Sequence, residues 1–207
     1  MGVNNNFILV SLMVIFTPCI TLSSIIELNA EKQSEDFNTN TTTPIQFNTS
    51  NVEKFETYEN SKYGIKIDYP SNWLKTEPGS TIGMPPYEQI NVVTFSSPPK
   101  NDPVLMVIVA NKTAGTLTDF ASEEINQHRI IYPDFNLLKL GNVNLGDNPG
   151  YNFIFNASDV NGKFNAAQIW TIKDNKLFLL VNTVSEDLYN LTWPTIQRMI
   201  DSFEIVN

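Results

Sequence analysis

The stretch Tyr63-Gly64-Ile65-Lys66-Ile67-Asp68-Tyr69-Pro70-Ser71-Asn72-Trp73 decides how the rest of the chain is read. Ile65, Ile67 and Tyr69 alternate with Lys66 and Asp68, the period of two that a strand shows when one face is buried. Pro70 has no N–H to give to a sheet ladder and ends the strand. Ser71-Asn72 supplies a turn. Trp73 follows at once, a large aromatic placed to fold back as a plug. Strand, proline-led turn and aromatic together mark the start of a folded domain.

Upstream of it the chain changes character twice. Phe7 to Ile26 carries no charge and is mostly Ile, Leu, Val, Phe and Met, so residues 1–30 read as a signal peptide or an N-terminal membrane anchor. Ala30 offers a cleavage point, although Leu28 is large for the third residue before the cut. The single cysteine, Cys19, lies inside this segment. A lipidated cysteine is preceded by a small residue, and here Pro18 stands before it and the apolar run Ile20–Ile26 after it. Cys19 therefore reads as a small hydrophobe rather than as a lipidation site. Residues 31–56 are rich in Asn, Thr, Ser and Gln and bury too little apolar surface to offset their ordering entropy, so they read as a disordered tether. The domain proper is expected over residues 57–207.

If the N-terminal segment is removed, no cysteine remains. Disulfides, thiol nucleophiles and cysteine-bound metals are then excluded. Stability must come from the core, and a domain of roughly 150 residues buries about 70% of its unfolded surface, which suffices. The net charge is −9, with two lysines against six acids in residues 1–56 and eleven Lys/Arg against sixteen acids in residues 57–207. There is no run of Lys or Arg. Nucleic-acid binding depends on neutralising phosphates, so no nucleic-acid partner is expected. Five Asn-x-Ser/Thr sequons, at Asn40, Asn48, Asn111, Asn156 and Asn190, are candidate glycosylation sites for an exterior protein.

Downstream, strands dominate. Ile90–Ser96 and Val104–Ala110 flank a Pro98-Pro99 loop. Thr116-Leu117-Thr118-Asp119 reads as a capping box, opening a helix whose stripe is Leu117, Ala121, Ile125, His128 and Tyr132 and which Pro133 ends. Phe135–Leu140 reads as a short strand, and Pro149-Gly150 as the turn before the strand Tyr151–Ala157. Asn161-Gly162 is the strongest hairpin signal in the chain. Phe164–Lys173, a turn at Asp174-Asn175 and Lys176–Val184 complete an antiparallel meander. A last helix is expected from about Thr192, with Pro194 in its first turn and Ile196, Met199, Ile200 and Phe203 on one face. Short-looped strands with two amphipathic helices give an α+β class, a central antiparallel β-sheet covered by helices.

Chemistry is sparse. His128 is the only histidine, and Glu124, four residues earlier on the same helical face, would raise its pKa. No nucleophile motif accompanies it, so His128 reads as a half-exposed helix residue and no catalytic residue is assigned. Asp159-Val160-Asn161-Gly162 has the start of a calcium loop but lacks further acids and a closing Glu, so Asp159 and Asn161 read as turn formers. The pairs Glu123-Glu124 and Glu186-Asp187 read as solvated faces. Trp73 and Trp170 read as core and Trp193 as a helix-start staple. No metal-binding or cofactor-binding residue is assigned.

Four places, in this order and spacing, resemble the PsbP-like family within the Mog1/PsbP-like fold: Tyr63 to Trp73, the helix Leu117 to Tyr132, Gly146-Asp147-Asn148-Pro149-Gly150-Tyr151 leading into the Asn-Gly hairpin, and Ile196-x-x-Met199-Ile200-x-x-Phe203. The resemblance covers residues 57–207 and implies a central antiparallel sheet sandwiched by α-helices. It also implies an extracytoplasmic, non-catalytic character. Members include extrinsic photosystem II subunits that help retain calcium and chloride, alongside envelope or lumenal assembly factors. The photosystem subunits dock through basic side chains and a specific N-terminal segment, whereas this domain is acidic and is preceded by an Asn/Thr-rich tether. The expected function is therefore that of an accessory or scaffolding domain, monomeric and bound to a protein partner near a membrane. The alternative is a small-ligand or calcium-binding lumenal protein.

Overall fold

A computed structural model describes residues 53–82, 89–111 and 116–206. The N-terminal segment, the tether up to residue 52, Cys19, Asn40 and Asn48 lie outside the described residues. Among those described, no helix is long and apolar enough to cross a membrane.

The strands in chain order are β1 (Phe55–Asn60), β2 (Ile65–Pro70), β3 (Leu74–Thr76), β4 (Thr81–Ile82), β5 (Gln89–Ser96) and β6 (Val104–Asn111). Helix α1 (Leu117–Ile131) is followed by β7 (Asn136–Leu145), β8 (Asn148–Asp159), β9 (Gly162–Lys173) and β10 (Lys176–Ser185), then by α2 (Tyr189–Asp201) and β11 (Glu204–Ile205). All strand pairs are antiparallel. They form a three-stranded sheet in the order β1-β2-β11 and an eight-stranded sheet in the order β3-β5-β6-β10-β9-β8-β7, with β4 beside β5.

The expected α+β class with an antiparallel sheet is what the chain forms, but the finer picture changes. Among the described residues there are two sheets rather than one, and the two expected helices pack on them. One face of the large sheet carries Phe153, Phe155 and Trp170, which meet α1. The opposite face carries Ile154, Ile169 and Leu180. These join one core with Ile196, Met199 and Ile200 of α2 and with Ile65 and Ile67 of β2. The small sheet and α2 thus share the second face. Alternation along β2 places Ile65, Ile67 and Tyr69 inward as the period of two requires. Trp73 is buried in the same core, its backbone N–H donating to Pro70 O at 2.9 Å, so the proline-led turn does set the plug.

Several boundaries move. β1 begins at Phe55, so strand reaches two residues into the segment read as tether. Lys54 O accepts from Ser71 N, and the Arg198 guanidinium sits 3.7 Å from the centre of the Phe55 ring. Pro149-Gly150 lies inside β8, and the turn is Gly146-Asp147. Gly146 has φ +56°, and a Cβ there would lie 2.8 Å from Phe203 O. A positive φ and a close backbone approach both select glycine, and they outweigh the proline signal three residues later. Helix α2 begins at Tyr189, because Leu191 and Thr192 already donate to Leu188 O. Pro194 is therefore a helix-interior residue rather than a first-turn one. β7 runs five residues past Leu140, where its polar residues face solvent on the sheet edge.

Candidate functional site

Helix α1 opens as its sequence requires. The Thr116 backbone N–H donates to Asp119 Oδ2 at 2.7 Å, and the Asp119 N–H donates to Thr116 Oγ1 at 3.3 Å, closing the capping box. The Thr116 N–H and the Thr116 hydroxyl, which donates to the same Oδ2 at 2.8 Å, hold the Asp119 carboxyl below its ordinary range. The helix buries Phe120, Ala121, Glu124 and His128 against the sheet, so the buried stripe is half polar.

His128 and Glu124 differ from expectation. Neither is on a solvated face: Glu124 is 2% exposed and His128 is 4% exposed. The direction of the histidine shift is reversed as well. Burial pushes His128 below its ordinary 6.5, against a smaller upward pull from its bond to the Glu124 backbone. Burial pushes Glu124 from 4.5 up to about 8, opposed by the Gln168 amide. At neutral pH the pair is a protonated carboxyl beside a neutral imidazole. Two desolvated charges would cost more than their mutual attraction returns.

The geometry fixes the roles. The His128 Nδ1–H donates to Glu124 O at 2.7 Å, which leaves Nε2 as an acceptor facing the Gln168 amide at 3.4 Å. Glu124 Oε2 lies 3.6 Å from Nδ1, whose proton is already committed. Glu124 Oε1 and Gln168 Oε1 have no hydrogen-bond partner. Burial, which favours the protonated Glu124, outweighs the hydrogen bond from the Gln168 amide, which favours the carboxylate. Aromatic rings close the cluster: Phe155 at 4.5 Å and Phe153 at 5.3 Å from the imidazole centre, with Tyr132 and Phe135 about them. This is a polar fastening of α1 to β8 and β9, shut away from solvent. Gln168 was legible only as a residue sharing the face of Trp170, two positions on. Nothing in sequence pairs it with His128, forty residues earlier.

The other singled-out residues disperse. Asn111 is exposed at the end of β6, and Asn190 is exposed in the first turn of α2. Asn156 is half-buried within β8, between Asn136 of β7 and Asn165 of β9. Asp159 Oδ1 accepts from the Asn161 N–H at 2.7 Å, the bond of an Asx turn. Glu186 pairs with Lys163 at 3.9 Å, and Asp187 is exposed. Among the described residues no group of three His, Cys, Asp or Glu side chains is gathered for a metal ion. Trp170 is buried, its Nε1–H donating to Leu117 O at 3.3 Å, and half-buried Trp193 packs on Tyr189.

An α1-capped antiparallel sheet with a second small sheet and α2 on its far face defines a class of domain shared by many chains. This chain belongs to the PsbP-like protein family, whose pattern matches residues 8–205. The match begins at residue 8, so it takes in the hydrophobic segment and the polar stretch as well as the domain from which the resemblance was read. No curated protein matches the chain. Among solved structures, cyanobacterial PsbP from Synechocystis is similar with a TM-score of 0.56 and 17% identity over 74% of this chain and 94% of that one. The Ran-binding protein Mog1p of Saccharomyces cerevisiae has a TM-score of 0.50 and 9% identity over 75% and 97%. LpqN of Mycobacterium tuberculosis, involved in cell envelope biogenesis, has a TM-score of 0.50 and 13% identity over 74% and 91%. At these identities the likeness is one of fold.

Proposed function

We propose that this chain is a non-catalytic accessory domain, held outside the cytoplasm by its N-terminal segment, that works by binding a protein partner at the outer membrane face. The observation that carries the reading is the placement of His128. The one histidine and the strongly shifted Glu124 are sealed together under α1, so this acid–base pair does not reach a substrate. Membership of the PsbP-like family supports a domain of binding type. Binding and envelope roles also occur on this fold: Mog1p is a Ran-binding protein and LpqN serves cell envelope biogenesis. The uncharged stretch Phe7–Ile26 supports the location. Asn111 and Asn190, both exposed, are the sequons this reading favours for glycosylation, ahead of Asn156 within its strand.

Amine-reactive crosslinking of intact cells expressing the tagged full chain tests the binding role. A discrete adduct of higher mass is expected, and it should vanish when residues 1–52 are removed and the domain loses its location. A chain that stays monomeric at every crosslinker concentration contradicts the proposal.

A further inference from the structure

One surface cleft stands apart in charge from the rest of this acidic domain. It opens between the β1–β2 turn, the β9–β10 turn and the end of β11, with a volume of about 240 Å³. Lys62, Lys173 and Lys176 converge on it, against a single acid, Asp174. None of the three lysines makes an ion pair among the described residues, whose charged pairs are Lys66–Glu204, Lys75–Glu77 and Lys163–Glu186. Lys173 donates to Ile205 O at 3.3 Å, which holds its ammonium group at the wall, and Lys62 stands 4.9 Å from the centre of the Tyr63 ring.

The opposite character lines the interior. Tyr63, Ile205 and Val206 give the cleft an apolar wall, and Phe178, 2% exposed, lies beneath its floor. That wall depends on glycine. Gly64 has φ +65°, and a Cβ there would lie 2.5 Å from Val206 O, so only glycine lets the end of the chain's last strand close against the β1–β2 turn. The Val206 N–H donates to Gly64 O at 2.9 Å and fixes that approach. Cations at the rim and aromatic and aliphatic side chains within are the features of a site that orients an anionic head over an apolar body.

We propose that this cleft binds a small organic carboxylate, its head among Lys62, Lys173 and Lys176 and its aromatic or aliphatic body against Tyr63 and Ile205. This goes beyond the protein-binding role proposed above and does not depend on it. Unpaired ammonium groups beside low-dielectric walls attract an anion more strongly than lysines on an open surface. The hydrocarbon wall rewards a body that acetate lacks.

The test is a titration of the ¹⁵N-labelled full chain with 3-phenylpropionate, followed by amide chemical shifts. Saturable shifts are expected at Tyr63, Gly64, Lys176 and Val206. Acetate, the head alone, and 3-phenylpropanol, the body without charge, should each bind at least tenfold more weakly. The double variant Lys62→Gln/Lys176→Gln alters two exposed side chains and should weaken binding at least tenfold. Absence of saturable shifts, a control that binds as tightly as the carboxylate, or a double variant that binds it unchanged overturns the proposal.

Discussion

Trp73 and Glu124 are both buried under a helix or sheet, and they answer to different physics. Trp73 fills the core shared by Phe95, Ile196 and Phe203, so its removal leaves a cavity that the packed sheets cannot close. Trp73→Ala is expected to cost about 3–5 kcal/mol in denaturant unfolding, and an unchanged midpoint would put the indole on the surface. Glu124 gives a pH dependence instead. Its carboxyl binds a proton more tightly in the folded chain, at about 8, than its ordinary 4.5, so its contribution is complete below 4.5 and lost as pH rises toward 8. His128 is lowered from 6.5, so its contribution is complete above 6.5 and lost as pH falls through its depressed value. Above pH 6.5 only the Glu124 slope remains. Stability should fall by about 2 kcal/mol between pH 6.5 and 8, and Glu124→Gln should flatten that limb. Equal slopes in both proteins, by urea unfolding at each pH, would show that Glu124 is ionised throughout. The sequence placed Trp73 correctly because a strand, a proline and a turn are local signals. It read Glu124 as solvated and His128 as half-exposed because their burial depends on Phe153, Phe155 and Gln168, which come from strands far along the chain.

Elements were legible where their causes are local. Thr116 and Asp119 set the start of α1, Asn161-Gly162 marks the β8–β9 hairpin, whose turn residues are Val160-Asn161, and Asp174-Asn175, with φ of +50° and +59°, joins β9 to β10. Elements were misread where a tertiary contact overrides a local preference. The turn falls at Gly146 because Phe203 O comes within 2.8 Å of where its Cβ would stand, and the proline at 149 is carried inside β8. Pro194 is carried inside α2 because the apolar face of Ile196, Met199 and Ile200 is anchored in the core. The second sheet was invisible because β11 has only two residues and pairs with β2 across the whole domain. The β8–β9 hairpin carries the calcium question. Asp159 is engaged by Asn161 and, among the described residues, belongs to no group of three His, Cys, Asp or Glu side chains. We propose that millimolar calcium leaves the melting temperature unchanged, whereas a site filled to a hundredfold over its Kd would add about 2.7 kcal/mol. A clear rise that Asp159→Ala abolishes would reinstate the calcium-binding alternative.

At the scale of the whole molecule, the described domain buries its histidine beside Glu124, and an uncharged stretch, Phe7–Ile26, precedes it in sequence. Among the described residues β1 begins at Phe55 and Glu53 accepts from Thr195 Oγ1 at 2.9 Å, so a truncation that keeps these contacts begins no later than residue 53. The family pattern runs from residue 8 through the domain, so the N-terminal stretch is part of what the family shares. If residues 1–52 serve location rather than folding, a chain beginning at Glu53 should melt within a degree or so of the longer one, because an Asn/Thr-rich tether buries little. The most direct measurement is protease treatment of intact cells that express either the full chain or the chain from Glu53. The account predicts that the domain of the full chain is digested while a cytosolic marker survives, and that the shorter chain is protected. Protection of the full-length domain in intact cells, with digestion only after lysis, would contradict it.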